Sequence, residues 1–315
     1  MRIRTVVLAF VAIGCTQGDA VVPNSNTGAD TTVVSTTTGL ETAPTSVPTT
    51  IPPTATTFPP ETLTIEVFPV PSGSRPHDVA PAADGGVWYT AQGSGELGWL
   101  DPETGQTRHT ALGAGSRPHG VVIDDVGTPW VTDSGLNAIV SVNAQSLEVT
   151  VHRLPVAYAG ANLNTAAFDG EGRLWFTGQS GVYGFLEPDT GHLEVFDAPQ
   201  GRGPYGIAAT PEGSVYYASL AGSHIAAIGG VGAVSVIDPP TPGQGARRVW
   251  SDSSGRIWVS DFGSNSMVRF DPATETFHFY PLPNPPGNVR QILGRPGEVW
   301  GAESAADTLI VIRTR

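Results

Sequence analysis

Lysine is missing from this chain of 315 residues, and cysteine occurs once, at Cys15. All 16 cations are arginine, set against 29 acidic residues, for a formal net charge of −13. One cysteine excludes an intramolecular disulfide, a CxxC redox pair and a zinc cluster built on thiolates. The shortage of positive charge argues against tracking of nucleic-acid phosphates, which needs a basic face. Also absent are an amphipathic helical stripe, a nucleotide loop, a Gly-x-Ser-x-Gly elbow and a His-Glu-x-x-His helix. Kinase, α/β-hydrolase and zinc-protease chemistry therefore have nothing to stand on. In excess are glycine (39) and proline (28), together more than a fifth of the chain. That excess points to turns and linkers.

The first sixty residues read as an address and a tether. Arg2 and Arg4 precede an apolar run, Val6 to Gly14, that is too short to cross a bilayer. A basic start, a short apolar run and small residues at the exit make an export signal. Ala12-Ile13-Gly14-Cys15 is similar to a bacterial lipobox, so residues 1–15 are expected to be a lipoprotein-type signal with Cys15 as the lipidated residue. Residues 16–61 are rich in Thr, Pro and Ser, show no apolar period and are expected to form a disordered stalk. The expected location is extracytoplasmic, secreted or held to the cell membrane through a lipid anchor.

Residues 62–315 repeat. An aromatic flanked by apolar and small residues recurs at Trp88, Trp130, Trp175, Tyr216, Trp258 and Trp300, with spacings of 42, 45, 41, 42 and 42. A period of 40 to 45 residues with four short strands per unit predicts an all-β chain, a six-bladed β-propeller of four-stranded blades. Turn sequences such as Asp84-Gly85-Gly86 and Asp101-Pro102-Glu103-Thr104-Gly105 separate the strands. The last unit ends at its third strand, Leu309 to Ile312. Thr64 to Phe68 can supply the missing outer strand and remove two open edges. The recurring aromatics are expected to be core between blades. A monomer is expected.

Inner strands of such a ring surround a central funnel. Counting eleven residues back from each aromatic gives His77, His119, Asn164, Tyr205, Arg247 and Val289, with Arg290 beside the last. Core packing would not choose His, Asn and Arg at five of six such places. A second set near the ends of the second strands comprises Gln92, Asp133, Gln179, Ser219, Asp261 and Glu303. The two histidines share their context, Arg75-Pro76-His77 and Arg117-Pro118-His119, and stand 42 residues apart. They should open adjacent blades and face one cavity. The other five histidines fall on outer strands and turns and are expected to be solvated. Arg75, Arg117, Arg247 and Arg290 form a cationic rim in an acidic chain, suited to an anionic group.

The recurrence of Pro-His or Pro-Tyr followed by Trp-Phe-Thr and a glycine-rich turn resembles the virginiamycin B lyases, or streptogramin B lyases. That resemblance implies a propeller that linearises a cyclic depsipeptide by elimination, without water. It implies His119 as the base, His77 as the residue that orients substrate, and a magnesium ion held by two carboxylates. Asp133 stands near the place of one of them, and Arg117 occupies the place of the other. A small-molecule or cyclic-peptide ligand is expected in the funnel, with the funnel and rim residues Arg75, Arg117, Asn164, Tyr205, Arg247 and Arg290 as its contacts. The family typically has seven blades, where this chain has six units. Two alternatives stay open. One is a gluconolactonase-like hydrolase with a cation on Asn162, Asn164, Asp133 and Glu303. The other is a non-catalytic propeller that binds an anionic or peptide ligand.

Overall fold

The computed structural model describes residues 65–240, 245–281, 291, 293–295 and 298–313. The leader, Cys15, the stalk, Val289 and Arg290 lie outside the described residues. Within them the chain forms six antiparallel sheets of four strands. The only helix among the described residues is a single 3-10 turn, Val156–Tyr158. Blade one is a meander of Pro76–Pro81, Val87–Ala91, Glu96–Leu100 and Thr107–Ala111. The inner strands of the next five blades are Pro118–Ile123, Leu163–Phe168, Pro204–Ala209, Ala246–Ser251 and Leu293–Arg295. In blade six the outer strand is the first of the domain: Ile65–Pro69 pairs with Thr308–Arg313, Val67 opposite Ile310. Arg313 adds bonds to Glu66 and to Glu298, so the ring is locked where its two ends meet.

The core lies between blades rather than within one. Ala80, Trp88 and Leu97 of blade one pack on Val121, Val131 and Val140 of blade two. Val79, Val87 and Tyr89 turn the other way, onto Trp300, Leu309 and Val311 of blade six. Alternate residues of one strand thus serve two interfaces, which is why Val87-Trp88-Tyr89 is apolar at every position. Each such side chain contributes about 1.5–3 kcal/mol by leaving water. Trp88, Trp130, Trp175 and Trp300 are buried as expected, whereas Tyr216 and Trp258 are half-buried.

Two repeated contacts explain the rest of the motif. Asp124, Asp169 and Asp252 each accept a bond from the indole six residues on, at Trp130, Trp175 and Trp258 (2.9, 2.7 and 2.9 Å). Between them Gly127, Gly172 and Gly255 take positive φ in the turn. The small polar residue after the aromatics is a rivet. Thr132 Oγ1 accepts from Gly120 N (2.9 Å) and donates to the Asn164 carbonyl of the next blade (2.5 Å). Thr90 does the same between Asp78 N (3.0 Å) and the His119 carbonyl (2.8 Å).

Candidate functional site

Every described inner strand from blade one to blade five starts with the same irregularity. Pro76 pairs with Ala91 but Val79 with Tyr89, so His77 and Asp78 together face Thr90. The shift recurs between Pro118 and Gly120, Leu163 and Ala166, Pro204 and Ile207, and Ala246 and Arg248. Two residues opposite one make a β-bulge, which re-aims side chains next to sites. Proline suits the position before it, because the first residue of a strand can do without an N–H. The first bulge residues are the predicted set: His77, His119, Asn164, Tyr205 and Arg247. The second are Asp78, Gly120, Thr165, Gly206 and Arg248. At Gly120 and Gly206 any Cβ would collide with the next blade's backbone, at 2.7 Å from the Asn164 carbonyl and 2.4 Å from that of Arg247. Glycine there lets adjacent bulges close up.

The structure brings these residues into one cluster. The His77 and His119 rings lie 3.8 Å apart, centroid to centroid, tilted by 45°. His119 meets Tyr205 edge-on at 5.9 Å. The Arg247 guanidinium stands 4.4 Å from the centre of the Tyr205 ring and 5.0 Å from that of Phe262, and donates to the Tyr205 hydroxyl. Asn164 is fully buried, yet its amide nitrogen and oxygen have no hydrogen-bond partner among the described residues. His119 Nδ1 is likewise buried without one. Buried polar atoms left without partners normally cost about 1–3 kcal/mol each, so such a group calls for a partner beyond the described residues.

Asp78 is the residue that sequence reasoning missed. It is 1% exposed and accepts from His77 Nδ1 at 2.8 Å and from Arg248 at 2.7 and 3.0 Å. Arg248 reaches it from blade five. Burial alone would push the Asp78 carboxyl up, but Arg248 and the His77 ring outweigh burial and hold it at about 2. His119 moves the other way from most active-site bases. Burial first, then the positive potential of His77, bring it down to about 3; Asp78 pulls the other way more strongly than either Arg248 or Arg247 pushes. The available signal was the bulge itself, which makes the residue after each funnel position a second inward candidate.

The remaining expected site residues fall elsewhere. Arg75 and Arg117 are exposed, with their backbone N–H groups held by Asp307 (2.6 Å) and Asp133 (2.9 Å). Asp133 is fully buried and takes bonds from Ser116 Oγ (2.5 Å) and from the N–H groups of Arg117, Gly135 and Leu136 (2.9, 2.9 and 2.8 Å). Asp261 clasps its own blade similarly, through Gly245 N (3.0 Å) and Ser264 N (2.9 Å). Glu303 accepts from Thr308, and Asn162 donates to Gln179. Two of the histidines expected to be solvated are not: His224 is buried, and His109 lies between Tyr89 and Glu96.

A magnesium ion does not fit the described residues. A hard cation needs several free oxygen ligands. Asp133 already takes bonds from four donors, and Arg117, in the place the family resemblance gives to a second carboxylate, brings a positive charge instead. Among the described residues, the group whose ligand atoms come together is His77, Asp78 and His119, within 4.8 Å of one another. Both oxygens of Asp78 are already taken by Arg248 there. Farther along the inner strands the channel opens into a cavity of about 960 Å³. Asp78 and Arg248 line it together with Val121, Val122, Ile207 and Trp250.

The sequence model of the virginiamycin B lyase family matches residues 123–314. A catalytically inactive histidine-to-alanine variant of virginiamycin B lyase from Staphylococcus aureus, solved with quinupristin, is similar in fold. Its TM-score is 0.66 and identity 20%, over 78% of this chain and 82% of that one. A selenomethionine form of the Staphylococcus aureus enzyme matches at TM-score 0.64 and 17% identity, over 80% and 100%. A gluconolactonase from Xanthomonas campestris shares the fold at TM-score 0.56 and 17% identity, over 80% and 89%. No curated protein matches the sequence.

Proposed function

The chain belongs to the virginiamycin B lyase family, and from that premise we propose that it is an exported lyase that opens a cyclic ester or depsipeptide by elimination. The observation that carries this reading is the cluster at the bulges: two imidazoles 3.8 Å apart beside a buried amide with no partner. In the elimination an imidazole takes the proton from the α-carbon. The freed electron pair becomes the double bond to the β-carbon, and the bond from that carbon to the ester oxygen breaks. The ring opens with a carboxylate as leaving group, and no water is consumed. Asn164 offers one donor pair and one acceptor, the complement of a peptide amide. Arg247 supplies positive charge close to the imidazoles, where the enolate and the departing carboxylate need it. That charge takes the place of a metal ion in this reading. The inactive Staphylococcus aureus variant, alanine for histidine, supports giving a histidine the central part.

The leader and stalk support export, with Cys15 as the point of lipid attachment to a membrane surface. A non-catalytic anion-binding propeller is favoured by one observation, the pairing of Arg247 and Arg248 at one bulge. Incubation of the full chain with quinupristin separates the two. A lyase yields a product with new ultraviolet absorption, lost when His77 and His119 are both replaced by Ala. Saturable binding with no spectral change would favour the binding module.

A further inference from the structure

We propose that His77, and not His119, is the imidazole that accepts the substrate proton, and that Asp78 and Arg248 are the residues that position it. The proposal rests on the lyase reading above and reverses the roles that the family resemblance carries onto the two histidines.

The chemistry of the contacts assigns the protons. A carboxylate only accepts, so the 2.8 Å contact between His77 Nδ1 and Asp78 Oδ1 places the hydrogen on Nδ1. The lone pair of neutral His77 is then on Nε2. Asp78 remains an anion because Arg248 engages both its oxygens, and it meets the ring from the second place of a strand bulge. This is the arrangement in which a buried carboxylate fixes a histidine tautomer and stabilises the imidazolium formed after proton transfer. His119 has none of it. Among the described residues no carboxylate bonds its ring and Nδ1 has no partner, and burial opposes any charge on it. Side-chain exposure agrees, since His77 keeps 19% of its surface open. His119, tilted against it, serves as a neutral wall. The groups facing His77 are Asp78, His119 and, through Asp78, Arg248. A proton accepted by His77 is balanced by the Asp78 charge. A proton accepted by His119 would feel Asp78 without being hydrogen-bonded to it, against burial and the positive potential of His77, Arg248 and Arg247.

The experiment is long-range nitrogen–proton correlation spectroscopy of the full chain at neutral pH, with the His77 signal identified by its loss in His77→Gln. The expected result is neutral His77 protonated at Nδ1, shifting to a mixture of tautomers in Asp78→Asn. A hydrogen on Nε2, or a tautomer indifferent to Asp78→Asn, overturns the proposal. The wild-type spectrum alone decides the first point, even if the variant folds poorly. Turnover of quinupristin gives the second arm. His77→Gln should lose about 10²–10⁴-fold, at least tenfold more than His119→Gln, and the reverse order overturns the proposal. A wild-type chain with the expected tautomer but no turnover would remove the lyase reading while supporting the proton assignment.

Discussion

The two ends of each inner strand are built to different rules. Where the strand begins, blades one to five present His77, His119, Asn164, Tyr205 and Arg247, polar groups packed together with hydrogen-bonding capacity left over at Asn164 and His119. A few residues on, the same strands present Val79, Val121, Ala166 and Ile207, which bury apolar surface against neighbouring blades. The β-bulge is the border between them. Before it, the ring tolerates costly groups that find no partner among the described residues. After it, residues are chosen by packing. The same contrast separates two buried carboxylates: Asp133 is spent on backbone N–H groups and holds a loop, whereas Asp78 is spent on His77 and Arg248 and charges a site.

Substitutions on either side of that border should have opposite consequences. The largest effect is expected before it: His77→Gln lowers turnover of quinupristin by about 10²–10⁴-fold with the melting temperature nearly unchanged. After it, Val79→Ala, at a fully buried position outside the cavity lining, should cost about 0.5–3 kcal/mol of stability, read by urea unfolding, with turnover per folded molecule preserved. Equal loss of activity in both would erase the distinction.

Acid sharpens the comparison. The unfolded chain binds a proton at His119 near its ordinary 6.5, while the folded site resists until about 3. The contribution of His119 is intact above 6.5 and falls by about 1.4 kcal/mol per pH unit below it. Asp78, ordinarily 3.8 and here about 2, extends the loss below pH 4. His152 and His224, lowered by burial, act in the same direction. His119→Gln should flatten the profile between 6.5 and 4, and an unchanged slope would contradict the burial argument. A further effect belongs to the rivets: Thr132→Val strands a buried N–H and carbonyl and should cost about 2–3 kcal/mol. The smallest is none at all, since magnesium or a chelator should leave the melting temperature where it was.

The blade count, the closing strand and the five described funnel residues were legible because each repeats, and a period of 42 makes equivalent positions countable. The second row of site residues was hidden because a bulge breaks the alternation of a strand. By strict period two, Asp78 and Arg248 would point away from the side taken by His77 and Arg247, and only the pairing register shows otherwise. Asp133 was misleading for a related reason. A carboxylate at the end of a second strand suits a metal or a backbone clasp equally well, and its partners, the N–H groups of Gly135 and Leu136, leave no trace in side-chain identity. His224 was read as solvated from its place near a turn, yet Tyr217 lies against its ring.

The most direct test is the mass of what the full chain makes from quinupristin. Elimination only rearranges bonds, so the account predicts a linear product of unchanged mass that absorbs in the ultraviolet. A product heavier by one water would mean hydrolysis at the same ring of residues and would contradict it.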